Sequence, residues 1–344
     1  MLNYIRTKLF LIKKKDKKMW GAGIFSKELN INFELFLSPE ELSNQKLIEN
    51  LTFDIASSYL KYGATPREYF LFEFRAINND KRKRFLTNMH KDKSLLSLLT
   101  YDTYKSELRD KYNFFLTFKE YFKRDVCQIF TGDDYNIFKD FIIAHPICFI
   151  KPLDGMCGAG VQKICCSESS SLAEFHRLMG ISSKGWILEE LITQNDVMAA
   201  WNESSINTIR IPSFLKNNSI IILKPFFRVG RRGMVVDNAA MGGVFSVISN
   251  EGELITDGYD EFGNSFELHP DSGLRFKGWK VPDWDKLILL VEKLHRLLPN
   301  HPYIGWDFCL TKTGWVLIEG DWGQFISEYA DKEGIKDVFD DLLA

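Results

Sequence analysis

The stretch Ile304-Gly-Trp-Asp-Phe-Cys-Leu-Thr-Lys-Thr-Gly-Trp-Val-Leu-Ile-Glu-Gly-Asp321 constrains the fold more than any other part of this sequence. Two β-prone runs, 304–311 and 315–320, flank Lys312-Thr313-Gly314, a three-residue connection with glycine where such a hairpin loop needs a left-handed residue. If Thr311 faces Trp315, facing residues have numbers summing to a constant, and Asp307 stands opposite Glu319 with Cβ atoms roughly 5 Å apart. Asp321, two residues further on, projects from the same face, while Phe308, Leu310, Val316 and Ile318 form an apolar set on the other. Like charges directly opposite one another destabilise a sheet unless something compensates. Three carboxylates held close together suit Mg²⁺, a hard ion that takes oxygen ligands, so Asp307, Glu319 and Asp321 are candidate metal ligands. A surface hairpin with a solvated acidic face is the alternative.

A chain of 344 residues buries a large core and has room for two or three structural units. A net charge of −2 gives no global electrostatic case for nucleic-acid binding. The six cysteines (127, 148, 157, 165, 166 and 309) form no Cys-x-x-Cys pair and no framework spacing, and read as reduced thiols of a cytoplasmic protein. No apolar run approaches the ~20 residues needed to cross a bilayer. The basic start, Arg6 to Lys18 with Leu2, Ile5, Leu9, Phe10 and Ile12 interspersed, is either a solvated segment or a weak contact for an anionic membrane surface.

From about residue 20 to 105 the pattern is helical, with Leu47, Ile48, Leu51, Ile55, Tyr59, Leu60 and Tyr62 at helical spacing before Gly63. The run Asp80-Lys-Arg-Lys-Arg84 reads as a solvated helix face or turn, since no aromatic residue interleaves it. After residue 105 the texture changes to strands joined by glycine-rich turns. A Phe-rich helix (Phe114 to Phe122) leads to strands at Ile147–Leu153 and Val161–Cys165, then to a helix with Ser171 and Glu174 as its capping box and Gly180 as its stop. Strands follow at Trp186–Ile192, Asn207–Phe214 and Ile220–Val229. After a loop-rich stretch to Trp279, a helix begins beyond Pro282 with Leu287, Leu290, Val291, Leu294 and Leu298 on its buried side.

The loop Asp154-Gly-Met-Cys-Gly-Ala-Gly160, with Gly155, Gly158 and Gly160, is either a flap whose backbone N–H groups wrap around phosphate or merely a turn. It is neither a dinucleotide-binding fingerprint nor a Walker sequence, because it runs into a β-branched strand and no Gly-Lys-Ser/Thr follows. Lys151 stands four residues before the first glycine, placed to meet the phosphate that such a flap covers. Glu189 and Glu190, adjacent on a strand, must face opposite ways and so play different parts. Arg210, Lys224, Arg228, Arg231 and Arg232 lie in or just after β-branched runs and need anionic partners: a polyphosphate, a substrate carboxylate, or the acidic hairpin itself. His269 is the one histidine in a turn-rich loop suited to lining a site.

A strand lysine, a glycine flap, a glutamate pair and a terminal Asp…Glu-x-Asp hairpin, in that order, resemble the ATP-grasp superfamily, and most closely the sugar-transfer associated ATP-grasp family of bacterial surface-polysaccharide biosynthesis. The stretches that carry the resemblance are Tyr62–Phe70, Asp110–Tyr112, Phe149–Pro152, Asn207–Arg210, Asp237–Gly243, His269-Pro270 and Tyr303–Asp307 with Ile318–Gly320. The resemblance implies an α+β fold in which two subdomains clasp ATP: a mainly helical region (1–104), a lid subdomain with the flap (105–192) and a core with the metal hairpin (193–344). It implies that Lys111 and Lys151 contact the nucleotide, that Glu189, Glu190 and Leu191 form the adenine hinge, that Asp196 accepts the ribose, that Lys224 approaches the nucleotide, and that Asp307 and Glu319 hold Mg²⁺. The superfamily usually has asparagine at the position of Asp321, and many of its ligases carry an arginine where this chain has Gly305, so Arg210 or Arg228 would take over that arginine's role. Arg231, Arg232 and His269 are then candidates for substrate contact. The implied activity is ATP-dependent carboxylate–amine ligation through an acyl phosphate, with a small carboxylate and an amine as partners, one of them a sugar nucleotide or glycan precursor. Phosphotransfer to a sugar hydroxyl, or a nucleotide-binding scaffold of polysaccharide assembly, are the alternatives.

Overall fold

The computed structural model describes residues 31–153, 160–182, 184–323 and 325–344. The basic opening segment and the flap glycines Gly155 and Gly158 lie outside them. The described residues group into two compact units, one combining those up to Leu98 with those after Gly323, the other being Leu99–Gly323.

The first unit is helical. Its longest helix, Gln45–Tyr62, starts on Asn44, whose side chain accepts from the Leu47 N–H, and stops at Gly63, whose φ of 74° glycine tolerates at low cost. Leu51, Ile55 and Tyr59 are its buried stripe. The basic run departs from its expected solvated character at one position: Arg82 is buried, paired with Asp54 at 2.7 Å and set against the rings of Tyr69 and Phe74. Its neighbours Lys81, Lys83 and Arg84 stay exposed. The segment after residue 324 is stitched in by backbone: Glu328 Oε1 accepts from the N–H groups of Leu86 and Ile335, and Lys336 N–H donates to the Arg84 carbonyl.

The second unit holds two antiparallel sheets. The smaller runs β1 (Val126–Ile129), β4 (Trp186–Glu190), β2 (Ile147–Pro152), β3 (Gln162–Cys165) in spatial order. Helices Tyr135–Ala144 and Ser171–Ile181 cover one face, where Phe138, Ile142, Phe175 and Leu178 meet Cys148, Ile150, Trp186 and Leu188. Alternation sends Phe149, Lys151 and Glu189 to the other face. The expected capping box at Ser171 and Glu174 does not form: Ser171 Oγ donates to the Glu168 carbonyl, Glu174 pairs with Arg177, and Gly180 is inside the helix rather than its stop.

The larger sheet has eight strands, ordered β10 (Ser265–Phe266), β9 (Gly258–Tyr259), β8 (Val244–Val247), β7 (Phe226–Val229), β5 (Thr208–Lys216), β11 (Tyr303–Thr311), β12 (Gly314–Asp321), with β6 (Ser219–Ile222) also on β5. β5 is central and nearly buried throughout. Its Pro212 is tolerated because the flanking partner changes there, from β7 at residues 208–210 to β6 at 213–216, so no N–H is called for. Among the described residues no helix is long and apolar enough to cross a membrane, and five cysteines are free thiols.

The hairpin β11–β12 reaches the expected pairing of Asp307 with Glu319 by an unexpected route. Thr311 pairs with Gly314 rather than Trp315, leaving a two-residue turn, and pairs down to Phe308↔Leu317 follow that register. A β-bulge at Ile318 then shifts it by one, giving Asp307↔Glu319 and Gly305↔Asp321. Without the extra residue, Ile318 would stand opposite Asp307 and Glu319 would turn to the far face. Ile318 consequently lines the same cavity as Glu319 instead of joining Phe308 and Val316 in the core.

Candidate active site

Strands β5, β7, β11 and β12 build a ladder of alternating charge. The Arg210 guanidinium grips Asp307 through Nε (2.5 Å) and Nη2 (3.0 Å) and reaches Asp321 through Nη1 (2.5 Å). Arg228 Nη2 lies 2.6 Å from Asp307 Oδ2, the oxygen that Arg210 Nη2 also holds, and its Nε lies 3.7 Å from Asp237. Burial would raise the Asp307 carboxyl, but the two guanidinium groups outweigh it and hold it below the ordinary carboxylate range. Room for Arg210 comes from two glycines: a Cβ at Gly305 would fall 2.7 Å, and one at Gly323 2.2 Å, from Nη1. The strand β5 arginine thus fills the space beside Gly305.

Glu319 is left over. Among the described residues it makes no ion pair or hydrogen bond, and burial, with Asp307 and Asp321 adding to it against Lys151 and Arg210, pushes its carboxyl up to about 7. Four carboxylates (Asp237, Asp307, Glu319, Asp321) share two guanidinium groups in this ladder. The excess negative charge, concentrated where Glu319 and Asp321 face the cavity, fits a divalent cation with hard oxygen preference. Asp307 has both oxygens engaged by arginine, so Glu319 and Asp321 are the carboxylates with ligand capacity to spare, and Asp307 would join by sharing a remaining lone pair.

The opposite wall belongs to the smaller sheet. Glu189 receives Arg124 at 2.7 Å and Lys151 at 2.6 Å. Burial works against its charge, yet those two cations lower it to about 2. Arg124 also donates to the Leu317 carbonyl of β12, tying the two sheets together beside the hairpin. Lys111 is the first residue of helix Lys111–Phe122, whose N-terminus Asp110 caps by accepting from Tyr112 and Asn113. Burial lowers the Lys111 ammonium, with Glu319 opposing. Its Nζ donates to the Leu153 carbonyl at 3.4 Å, at the start of the flap.

A cavity of about 250 Å³ separates the two walls, with Lys111, Lys151, Glu189, Glu190, Arg228 and the three hairpin carboxylates around it. Phe149, Pro152, Val161, Ile192 and Ile318 give it an apolar side. Of the remaining sequence candidates, Glu190 alone reaches the lining among the described residues. Gly160 closes the β2–β3 turn with φ of 77° and would meet Pro152 if it bore a Cβ. Glu190 faces away from Glu189 and accepts from the Asp125 N–H. Leu191 follows β4 but does not line the cavity, and Asp196 is exposed on the surface beside Lys312 of the hairpin turn. Lys224, in the β6–β7 connection, is also outside the lining. Arg231 is buried against Asp260 and Phe266, Arg232 N–H is held by Asp271, and His269 is buried with Nε2 on the Gly230 carbonyl and Nδ1 on Ser272, so these three brace the loops of the sheet extension. Sequence reasoning gave no role to Arg124, Thr208 or Asp237. Asp237, in the segment between β7 and β8, is distinguished only by its burial at the cavity.

The family model described as sugar-transfer associated ATP-grasp matches residues 122–341. No curated protein matches the chain in sequence. Among solved structures it is similar to the D-alanyl-alanine synthetase A of Vibrio cholerae (11% identity, TM-score 0.40, 69% of this chain and 60% of that one). It is similar also to the D-alanine-D-alanine ligase of Coxiella burnetii (8% identity, TM-score 0.41, 69% and 56%) and to the ATP-grasp ligase PsnB complexed with a minimal precursor (11% identity, TM-score 0.41, 90% and 76%). The chain spans less than two thirds of the length of the first two. With the model matching well over half its length, the chain belongs to the sugar-transfer associated ATP-grasp family.

Proposed function

We propose that the protein is an ATP-dependent carboxylate–amine ligase, working in the cytoplasm where ATP is at hand, and that its acceptor is a sugar nucleotide or glycan precursor of a surface polysaccharide. The observation that carries the reading is the unneutralised Glu319 beside Asp321, facing Lys111 and Lys151 across one cavity. Carboxylates on one wall and lysines on the other suit a polyphosphate with its metal. The family's description as sugar-transfer associated supports the choice of acceptor. ATP and Mg²⁺ are the required cofactors of this reading, residues 105–192 its lid and 193 onward its core.

Asp307, Glu319 and Asp321 would hold Mg²⁺, which when bound offsets phosphate charge and polarises the γ-phosphoryl group. Lys111 and Lys151 would bind the phosphate oxygens as point charges, Lys151 by leaving Glu189 to its second partner Arg124. Arg228 lines the cavity, held by Asp307 and Thr208, and is oriented to steady the negative charge that develops as a substrate carboxylate attacks the γ-phosphorus. The apolar side of the cavity, with Glu189 and Glu190 behind it, would take the adenine and exclude water. An amine then displaces phosphate from the acyl phosphate to give the amide.

The test is direct: purified chain with Mg²⁺ and ATP, challenged with uronic or amino acids paired with amino sugars, should release ADP only when both partners are present and yield an amide by mass spectrometry. A phosphoester without amide would replace the reading with phosphotransfer. Nucleotide binding with no ADP release under any pair would replace it with a scaffold.

A further inference from the structure

We infer that Asp237 is the residue that receives the acceptor amine and takes its proton, an assignment that rests on the ligase reading above. Asp237 lines the cavity from the segment after β7, beside Val235, Val236 and Asn238, yet is only 7% exposed. Its Oδ2 accepts both the N–H (3.0 Å) and the hydroxyl (2.5 Å) of Thr208. That leaves Oδ1 as the oxygen with no bond among the described residues, and it is not sealed within the protein.

The position is built. Gly243 closes the loop back on Asp237, where a Cβ would fall 2.1 Å from the Asp237 carbonyl oxygen, and Gly243 N–H donates to the Asn238 carbonyl. One oxygen and the backbone are therefore fixed, and the other oxygen is left without a partner among the described residues, on a residue that lines the cavity. The charged and titratable groups facing Asp237 are Arg228 on β7 and Asp307 and Cys309 on β11. Arg228, between Asp237 and Asp307, separates this carboxylate from the hairpin acids. Burial raises the Asp237 carboxyl, with Arg228 and Thr208 opposing, which suits it to take a proton from a nitrogen cation. An isolated carboxylate oxygen flanked by Val235 and Val236 repels phosphate and attracts an ammonium.

In the step so assigned, Oδ1 removes one proton from the bound R–NH₃⁺. The nitrogen lone pair attacks the acyl carbon, the C–N bond forms, and the C–O bond to phosphate breaks with its electron pair leaving on phosphate. The second nitrogen proton goes to the departing phosphate, and the proton on Asp237 is released to water.

The experiment is calorimetric titration of the full chain with Mg²⁺ and AMPPNP, then with glucosamine and glycinamide as amine probes and N-acetylglucosamine as the neutral control. The wild-type chain is expected to bind the two amines and not the control, with affinity falling as pH drops through the Asp237 titration. Asp237→Asn should bind the amines at least about tenfold more weakly and lose that pH dependence, while AMPPNP affinity stays within about twofold. Asp237→Glu should recover part of the amine affinity, and Thr208→Val, which removes the hydroxyl shared by Asp237 and Arg228 but leaves the backbone N–H on Asp237, should lower thermal stability while keeping the preference for amine over control. Absence of amine binding in the wild type, equal amine binding by Asp237→Asn, or a parallel loss of nucleotide and amine affinity each overturns the assignment. Failure of the wild type to bind AMPPNP, read before any amine is added, removes the ligase reading and this assignment with it.

Discussion

Gly305 and Gly323 matter for what they lack. The Arg210 guanidinium occupies the space their side chains would fill, and it is pinned by Asp307 and Asp321 rather than free to swing away. Gly323→Ala should therefore push the guanidinium off the half-buried Asp321 and disturb its buried pair with Asp307, costing about 2 kcal/mol in urea denaturation. Glu319 gives a second test at this scale. A carboxyl whose folded pKa is raised, here from 4.5 to about 7, contributes stability that is fully present below the unfolded pKa and is lost as pH rises through the folded one. Metal-free Glu319→Gln, permanently neutral, should melt with the wild type below about pH 4.5 and at a higher temperature above pH 7. Millimolar Mg²⁺ should raise the wild-type melting temperature at pH 8 and leave Glu319→Gln nearly unchanged. The pairing of Asp307 with Glu319 was expected from a turn one residue longer than the real one, and it holds because the bulge at Ile318 restores the lost register. The arginine partners were legible only as cations in need of anions, since which strand lies beside which is not written in spacing. Asp237 was hidden because it lies in a loop whose surroundings are made by three strands, β5, β7 and β11.

At the level of elements, the bulge at Ile318 decides which side chain meets Asp307. Nothing in the local sequence marks it: β-branched Ile318 between Leu317 and Glu319 reads as an ordinary strand residue. The helix Lys111–Phe122 was legible from its phenylalanines, and its start depends on Asp110. Asp110→Ala should cost about 1 kcal/mol, measured by urea denaturation, and also weaken ATP binding in calorimetry, because Lys111 is the first residue that the cap orients. Helix ends fared worse where serines cluster. Ser167, Ser169, Ser170 and Ser171 bond one another and the Glu168 carbonyl, so several caps compete and the helix begins one place from where composition alone would start it.

For the whole molecule, the change of texture expected near residue 105 falls inside the second compact unit, which begins at Leu99. The return of the last segment to the helical unit was not legible, because it is made by pairings far apart in sequence: Glu328 with Leu86 and His90 with Asp340 at 2.6 Å. Deleting residues 324–344 should strip the first unit of these partners and lower its helical circular-dichroism signal below the loss attributable to the removed residues. The eight-stranded sheet was read in β5, β11 and β12 and, as one run, in β6 and β7; β9 and β10, of two residues each, are too short to leave a periodic trace, and β8 lies in the stretch read as loop. The central claim concerns the hairpin, and crystals of the full chain soaked with Mn²⁺ and AMPPNP test it most directly. The anomalous manganese peak is expected within coordination distance of Glu319 and Asp321, with the triphosphate between it and Lys151; a peak elsewhere, or nucleotide bound with both carboxylates unligated, would contradict the account.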